Sequence, residues 1–327
     1  MQRIRSLSAA LALAIFPLAV AAQSTAPAGY PSKPIRFIVP YAAGGLPDSV
    51  ARTVAQRLTE RMGQSVVIDN RPGGNGVIAF QVLQQSTPGD GHAFVVSDGS
   101  MLSITPLVNR QVPYQVGKDI LPVSLIARSP LFVVAHPKTG VTTFQQFIEL
   151  VKSKPDEFTY GSSGIGSTHH LTMEALKAAL NLKVRHVPFR GSGQSTPALV
   201  GGQVEFSVAA LPSIAGFVKA GQVRILASNA ARRSPQAPEV PAIAEVVPGF
   251  DFAVVIGAMA AAGTPQWAID RLAAEIAEVV KMPEVVRTFD AAVIDPVGAG
   301  PADYAKVISR ENELMARAAK AADLKPE

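Results

Sequence analysis

From residue 35 onward, short runs rich in Val, Ile and Phe alternate with segments whose apolar positions recur every three or four residues. Residues 35–39 (IRFIV) read as a strand, and 47–62 as a helix because Val50, Val54, Leu58 and Met62 share one face. A strand at 66–68, a helix at 75–85 and a strand at 93–96 follow, whereas 105–119 shows no clear period. Two apolar runs, 121–127 and 131–135, are parted by Ser129-Pro130, where the chain is expected to cross into a second sheet. The alternation then restarts, with helices at 144–152, 167–180 and 196–200 and strands at 158–160, 184–187, 204–209 and 223–227. A long apolar run at 252–260 is expected to carry the chain back, and helices at 267–280, 283–289 and 302–321 complete the first half.

This order predicts an α/β protein built on two doubly wound, parallel sheets joined by two crossover segments. The first lobe takes 30–127 and 252–327, the second 128–251, with a ligand cleft between them. In open α/β sheets ligands sit beyond the carboxyl ends of the strands, so the loops that follow strands are the places to look for chemistry.

The N-terminus changes the picture. Arg3 and Arg5 precede an apolar run from 7 to 19 that is broken only by Ser8 and Pro17, and Val20-Ala21-Ala22 supplies small residues before Gln23. Residues 1–22 therefore read as a secretory signal peptide. Its removal lowers Lys plus Arg from 30 to 28 and leaves Asp plus Glu at 25, so the net charge falls from +5 to +3. No cysteine is present, which removes disulfides, thiolate nucleophiles, sulfur-ligated zinc and a lipoprotein anchor. The periplasm of a two-membrane bacterium is the expected address. With 48% hydrophobic and 17% charged residues the chain is globular, and its scattered Lys and Arg give no nucleic-acid surface.

Two loops are suited to an anion. Tyr41-Ala42-Ala43-Gly44-Gly45 leads into a helix opened by Pro47 and Asp48, where free N–H groups would face a ligand with the helix dipole behind them. Asp48 itself complements that dipole or orients the glycine loop. The second loop, Ser162-Ser163-Gly164-Ile165-Gly166-Ser167-Thr168, again follows a strand and opens a helix. Ser97-Asp98-Gly99-Ser100 and Phe189-Arg190-Gly191 follow two further strands. Arg190 offers a bidentate contact to a carboxylate, and Tyr41 and Phe189 could flank an apolar ligand body. No G-x-S-x-G elbow, P-loop or H-E-x-x-H occurs, and Gly164-Ile165-Gly166 lacks the third glycine of a dinucleotide fingerprint. His169 and His170 are adjacent, diverge on a helix, and read as solvent-facing or capping residues rather than metal ligands. No cofactor and no metal is expected.

Taken in order, Val39-Pro40-Tyr41, Gly44-Gly45-Leu46-Pro47-Asp48, Asp69-Asn70-Arg71-Pro72-Gly73-Gly74-Asn75-Gly76, Pro88-Gly89-Asp90-Gly91, Tyr160-Gly161-Ser162-Ser163-Gly164, His170-Leu171 and His186-Val187-Pro188-Phe189-Arg190-Gly191 resemble the Bug-type solute-binding proteins of tripartite tricarboxylate transporters. The resemblance spans the whole mature chain. It implies a two-lobed, type II-like periplasmic binding protein that closes on a small organic carboxylate and delivers it to the large and small membrane subunits of the transporter. It also implies ligand contacts at Tyr41, Ala43, Gly44, Gly45, Ser162, Gly164, Ser167 and Thr168, with Arg190 and Gly191 matching the family motif. Asn75, Ser97 and Ser100 are expected to border the same cleft. A monomer is expected. The alternatives are a sensory co-receptor for a carboxylate, and a serine hydrolase using Ser162 or Ser167 with His169 or His170.

Overall fold

A computed structural model describes residues 27–321 and 324. The expected signal peptide at 1–22 lies outside them. The chain begins β1 (Ile35–Val39), α1 (Leu46–Met62), β2 (Val66–Asn70), α2 (Val77–Gln85) and β3 (Ala93–Asp98). A wide turn at Ser100–Ile104 leads into the short α3 (Thr105–Val108). Next, β4 (Ile120–Ser129) runs almost directly into β5 (Phe132–Ala135). After these come α4 (Phe144–Ser153), β6 (Thr159–Ser162), α5 (Thr168–Leu180), β7 (Arg185–Pro188), α6 (Ser192–Val200), β8 (Phe206–Ala209), α7 (Leu211–Lys219) and β9 (Arg224–Ser228). The chain closes with β10 (Val254–Ala261), α8 (Gln266–Val279), α9 (Pro283–Ala291), β11 (Asp295–Ala299) and α10 (Pro301–Ala321).

These strands form a six-stranded sheet in the order β11-β4-β10-β3-β1-β2 and a five-stranded sheet in the order β7-β6-β8-β5-β9. The sheets are mixed rather than wholly parallel. β1 pairs parallel with β2 and β3, and β6 with β7 and β8, as helical crossovers require. β10 runs antiparallel to both β3 and β4, and β5 antiparallel to both β8 and β9. The reason lies in the crossings: β4 enters β5, and β10 returns, without an intervening helix to reverse direction within one sheet. The edge strand β11 escapes sequence reading because Pro296 and Gly298 lower its strand propensity.

Alternation along β1 explains how its sheet is covered. Ile35, Phe37 and Val39 pack with Leu46, Val50, Val54, Leu58 and Met62 of α1, while Ile38 turns to the opposite face with Phe80, Val95 and Tyr304. Each fully buried Val or Leu contributes about 2 kcal/mol before conformational entropy is set against it. An acid at Val54, which is fully buried, would leave an unpaired charge in that layer.

The two crossings are tied together by a side chain that no motif singled out. Asn229 is fully buried; its Oδ1 accepts from the Leu131 N–H at 2.7 Å, and its Nδ2 donates to the Phe252 carbonyl at 2.6 Å. The backbone repeats the link, Asn229 N–H to the Leu131 carbonyl and Phe252 N–H to the Asn229 carbonyl. Asn229 thus fixes the segment that leaves the six-stranded sheet to the segment that re-enters it.

Candidate functional site

A cavity of about 620 Å³ opens between the two sheets. Loops beyond the carboxyl ends of β1, β2, β3, β6, β7 and β8 supply most of its wall, and Leu131 and Val254 of the crossing segments supply the rest. Of the residues expected at a site, Tyr41, Gly45, Ser100, Gly164, Ser167, Phe189, Arg190 and Gly191 line it. Ala43, Gly44, Ser97, Ser162 and Thr168 are not among its lining residues. The side chain of Asn75 lies outside what is described.

The first loop is clamped from behind. Asp48, 2% exposed, accepts from the Gly44 N–H at 2.8 Å, from Arg52 Nε and from Asn70 Nδ2. Asn70 Nδ2 also donates to the Tyr41 carbonyl at 2.9 Å, and Arg52 donates to Asn70 Oδ1. Burial alone would raise the Asp48 pKa, but the Arg52, Gly44 and Asn70 hydrogen bonds outweigh it and hold the carboxyl below its ordinary value. The Gly44 N–H, expected to await an anion, is therefore engaged by Asp48. Gly44 sits at φ 86°, a conformation that a side chain would strain.

Tyr41 reaches across to the loop after β3. Its hydroxyl donates to Asp98 Oδ1 at 2.6 Å, and the same oxygen accepts from the Ser100 N–H at 3.0 Å. Ser100 Oγ in turn meets Thr168 Oγ1 at 2.9 Å, which joins the β3 loop to the start of α5.

In the second loop the roles of neighbouring serines separate. Ser162 is fully buried, and its Oγ meets His186 Nε2 at 2.6 Å, accepts from the Gly164 N–H and donates to the Gly164 carbonyl. Ser167 caps α5, accepting from the His170 N–H at 3.2 Å while donating to the Gly164 carbonyl at 2.7 Å. Gly164, at φ 126°, makes the turn that lets one carbonyl receive both hydroxyls. Ser163, which lay in the quoted motif but was not assigned to the ligand, is among the lining residues, and its buried hydroxyl has no hydrogen-bond partner among the described residues. Gly191 spends its N–H on the Ser163 carbonyl at 3.1 Å.

The histidines are not the exposed or capping residues expected. His170 is buried, accepts from the Gly166 N–H through Nδ1, and stacks on His186 with ring centres 4.0 Å apart. His169 lines the cavity, and burial lowers its pKa to about 4, so it is neutral at physiological pH. Burial and the neighbouring His170 and Lys177 lower His186 to about 3. Ser162 does have a histidine partner, but it is His186 rather than His169 or His170, and the Ser162 hydroxyl is sealed away from the cavity.

Sequence similarity identifies the architecture. Residues 50–324 match the family model described as the tripartite tricarboxylate transporter family receptor. The chain belongs to this family. It is 32% identical over 274 residues to BugT of Bordetella pertussis, covering 83% of this chain and 84% of that one. An adipate-bound protein of R. palustris superposes with a TM-score of 0.87 at 31% identity, over 91% of this chain and all of the other. The malate-bound MatC of Rhodopseudomonas palustris gives 0.80 at 25% identity, over 88% and 99%. The fold is that of the periplasmic binding proteins, and the relatives are solute-binding receptors.

Seen as a receptor site, the cavity has a further feature. Helix N-termini converge on it: Gly45, Leu46 and Pro47 from α1, Ser167 from α5, Gly191, Ser192 and Gly193 from α6, and Ala210 and Ser213 from α7. A helix N-terminus carries the positive end of the dipole and first-turn N–H groups without intrahelical acceptors, so these termini make the cavity wall favourable to an anion, although the Gly191, Ser167 and Ser213 N–H groups are spent on the carbonyls of Ser163, Gly164 and Ala210. The sequence reading began α6 four residues late, at 196 rather than Ser192, and missed α7, whose Gly216 weakens the helical signal. The spacing of Leu211, Ile214 and Val218, with Pro212 in the first turn, was the available clue. Among the described residues no group of three or more His, Cys, Asp or Glu side chains is placed to hold a metal ion.

Proposed function

We propose that this receptor captures a small organic carboxylate by closing two lobes, 30–127 with 252–327 and 128–251, and presents it to the large and small membrane subunits of a tripartite tricarboxylate transporter. The observation that carries this reading is the convergence of four helix N-termini on one cavity, with Arg190 among its lining residues. A carboxylate bridging α1 on one side and α5, α6 and α7 on the other favours the closed arrangement by its differential affinity. Related receptors carry adipate and malate, both dicarboxylates. Tyr41, Gly45, Ser100, Gly164, Ser167, Phe189, Arg190 and Gly191 are assigned to the ligand surface, and Ser163 joins them. Ala43, Gly44, Ser97, Ser162 and Thr168 shape or support it from behind.

No bond is made or broken in this scheme, since the buried Ser162 and the capping Ser167 lack access and a free base respectively. The protein acts in the periplasm as a monomer, exported by residues 1–22. The test is calorimetry on ligand-stripped mature protein against mono-, di- and tricarboxylates, aromatic acids and amino acids. Saturable binding of a carboxylate with no turnover is the expected result. Absence of binding to every carboxylate, or consumption of the bound compound, would overturn the reading.

A further inference from the structure

We propose that the stacked imidazoles of His170 and His186 are positioning residues for the ligand loop between β6 and α5, each holding one end of it while neutral, so that acid frees the loop and weakens capture. The inference rests on the carboxylate-receptor reading and adds to it the groups that keep its second loop in shape.

This loop borders the cavity through Ser163, Gly164 and Ser167. Gly164 and Gly166 both take positive φ, at 126° and 71°, so intrinsic backbone preference does not fix its course. Side chains fix it instead. His186 Nε2 meets Ser162 Oγ at 2.6 Å, and that hydroxyl engages both the N–H and the carbonyl of Gly164. His170 Nδ1 accepts from the Gly166 N–H at 3.2 Å. The two rings lie 4.0 Å apart and 12° from parallel, and Tyr160 of β6 stacks on His186 at 4.8 Å. The next loop depends on the same point, since the Phe189 and Gly191 N–H groups donate to the Ser162 and Ser163 carbonyls, each at 3.1 Å.

Both contacts favour neutral rings. A proton on His170 Nδ1 would set two N–H groups against each other and abolish the Gly166 bond. Burial, followed by His170 and Lys177, brings the pKa of His186 down to about 3, and burial also lowers that of His170. The charged groups acting on the pair are Glu174 and Lys177, which lie on α5 and bridge each other at 2.7 Å. Tyr160 faces the pair as a neutral phenol that donates to Glu174, and no charge of α10, which packs against α5, acts on either ring. Freeing the loop returns the imidazoles to water and to a pKa of about 6.5. The held loop is therefore fully favoured above that value and loses about tenfold per pH unit and per ring below it, until the lower folded pKa is reached.

Amide hydrogen exchange, followed by NMR on the mature protein, tests this without any ligand. Protection of the Gly164 and Gly166 amides, corrected for the intrinsic pH dependence of exchange, is expected to fall at least about tenfold from pH 7 to pH 5. Protection of Val134, in β5 of the same sheet, is expected to hold. His186→Gln offers an amide atom in place of Nε2 and His170→Asn an amide oxygen in place of Nδ1, and neither titrates; the double variant is expected to keep both glycine amides protected at pH 5. Calorimetry with adipate adds the binding side. At pH 7, His170→Phe, which keeps a ring but no acceptor, is expected to bind at least about tenfold more weakly than wild type, and His170→Asn to recover most of that loss. The wild-type exchange profile decides even if the variants fold poorly. Glycine protection that stays flat from pH 7 to pH 5, an equal acid loss in the folded double variant, or wild-type adipate affinity in His170→Phe overturns the inference and leaves the carboxylate reading intact. If wild type binds neither adipate nor any other carboxylate, that reading falls, and the exchange profile alone decides whether the pair holds the loop.

Discussion

The hydroxyls of Ser100 and Thr168 meet at 2.9 Å, although one residue follows β3 of the six-stranded sheet and the other begins α5 beside the five-stranded sheet. Both are nearly fully buried, and the Ser100 N–H simultaneously holds Asp98. The pair is therefore a latch between the two halves, directly beside the cavity. A hydrogen bond of this kind contributes about 1 kcal/mol net, roughly a fivefold change in an equilibrium. Thr168→Val keeps the volume and removes the bond. Small-angle scattering of the ligand-free variant is expected to show a larger radius of gyration than wild type, with the difference abolished by saturating ligand. Identical scattering curves in the free state would show that the latch does not hold the halves together.

Asn229 is the second place where one side chain joins separate segments. Replacing it with Ala strands the Leu131 N–H and the Phe252 carbonyl, both inside the crossing region. Leaving buried backbone groups unpaired costs about 1–3 kcal/mol each, although the backbone links between the same residues persist. Asn229→Ala is expected to lose about 2–4 kcal/mol in urea denaturation. A loss below about 1 kcal/mol would mean that the backbone links alone suffice.

Much of this arrangement could be read before any coordinates, and the exceptions have physical causes. The four-residue spacing from Val50 to Met62 placed α1, and Gly44 and Gly164 marked real turns because their positive φ is cheap only for glycine. Composition alone could not decide which of Ser162 and Ser163 borders the cavity; Ser162 turned to His186, and Ser163 is the one among the lining residues. Asp98 was visible only as a member of a polar loop, since its significance depends on Tyr41 arriving from a loop 57 residues away. The direction of β10 was hidden for a related reason, because pairing partners lie far apart in sequence and leave no local period.

The Asp48 clamp has a defined pH dependence. Its carboxyl is held below the ordinary carboxylate value in the folded protein, so the folded state favours the ionised form. The resulting stability is fully present above the unfolded pKa of about 4 and is lost as the pH falls through the lower folded value. Asp48→Asn removes a charged acceptor from Arg52 and the Gly44 N–H, at a cost of about 1–3 kcal/mol near neutrality. Denaturation curves from pH 7 to pH 3 should show the gap between variant and wild type closing as Asp48 protonates. A gap that stays constant through acid pH would assign the loss to packing instead.

Glu311 behaves in the opposite sense. It lies on α10, 7% exposed, close enough to Gly99 that a Cβ there would overlap its carboxylate, and Ser103 Oγ donates to it at 3.3 Å. Burial, followed by the charge of Asp98, raises its pKa to about 8, whereas the unfolded value is near 4.5. The folded protein thus keeps this proton between those two limits while the unfolded chain has released it. Stability is accordingly expected to fall as the pH rises from about 4.5 to about 8, and to level off above that range. Glu311→Gln replaces the acid by a neutral group of the same shape and should flatten this slope, with a gain in stability most evident at the alkaline end. Urea denaturation of both proteins at intervals between pH 5 and 9 provides the comparison. Parallel curves across that range would show that Glu311 is ionised in the folded protein, compensated by a neighbour such as Arg128, whose charge acts on it from the adjoining strand.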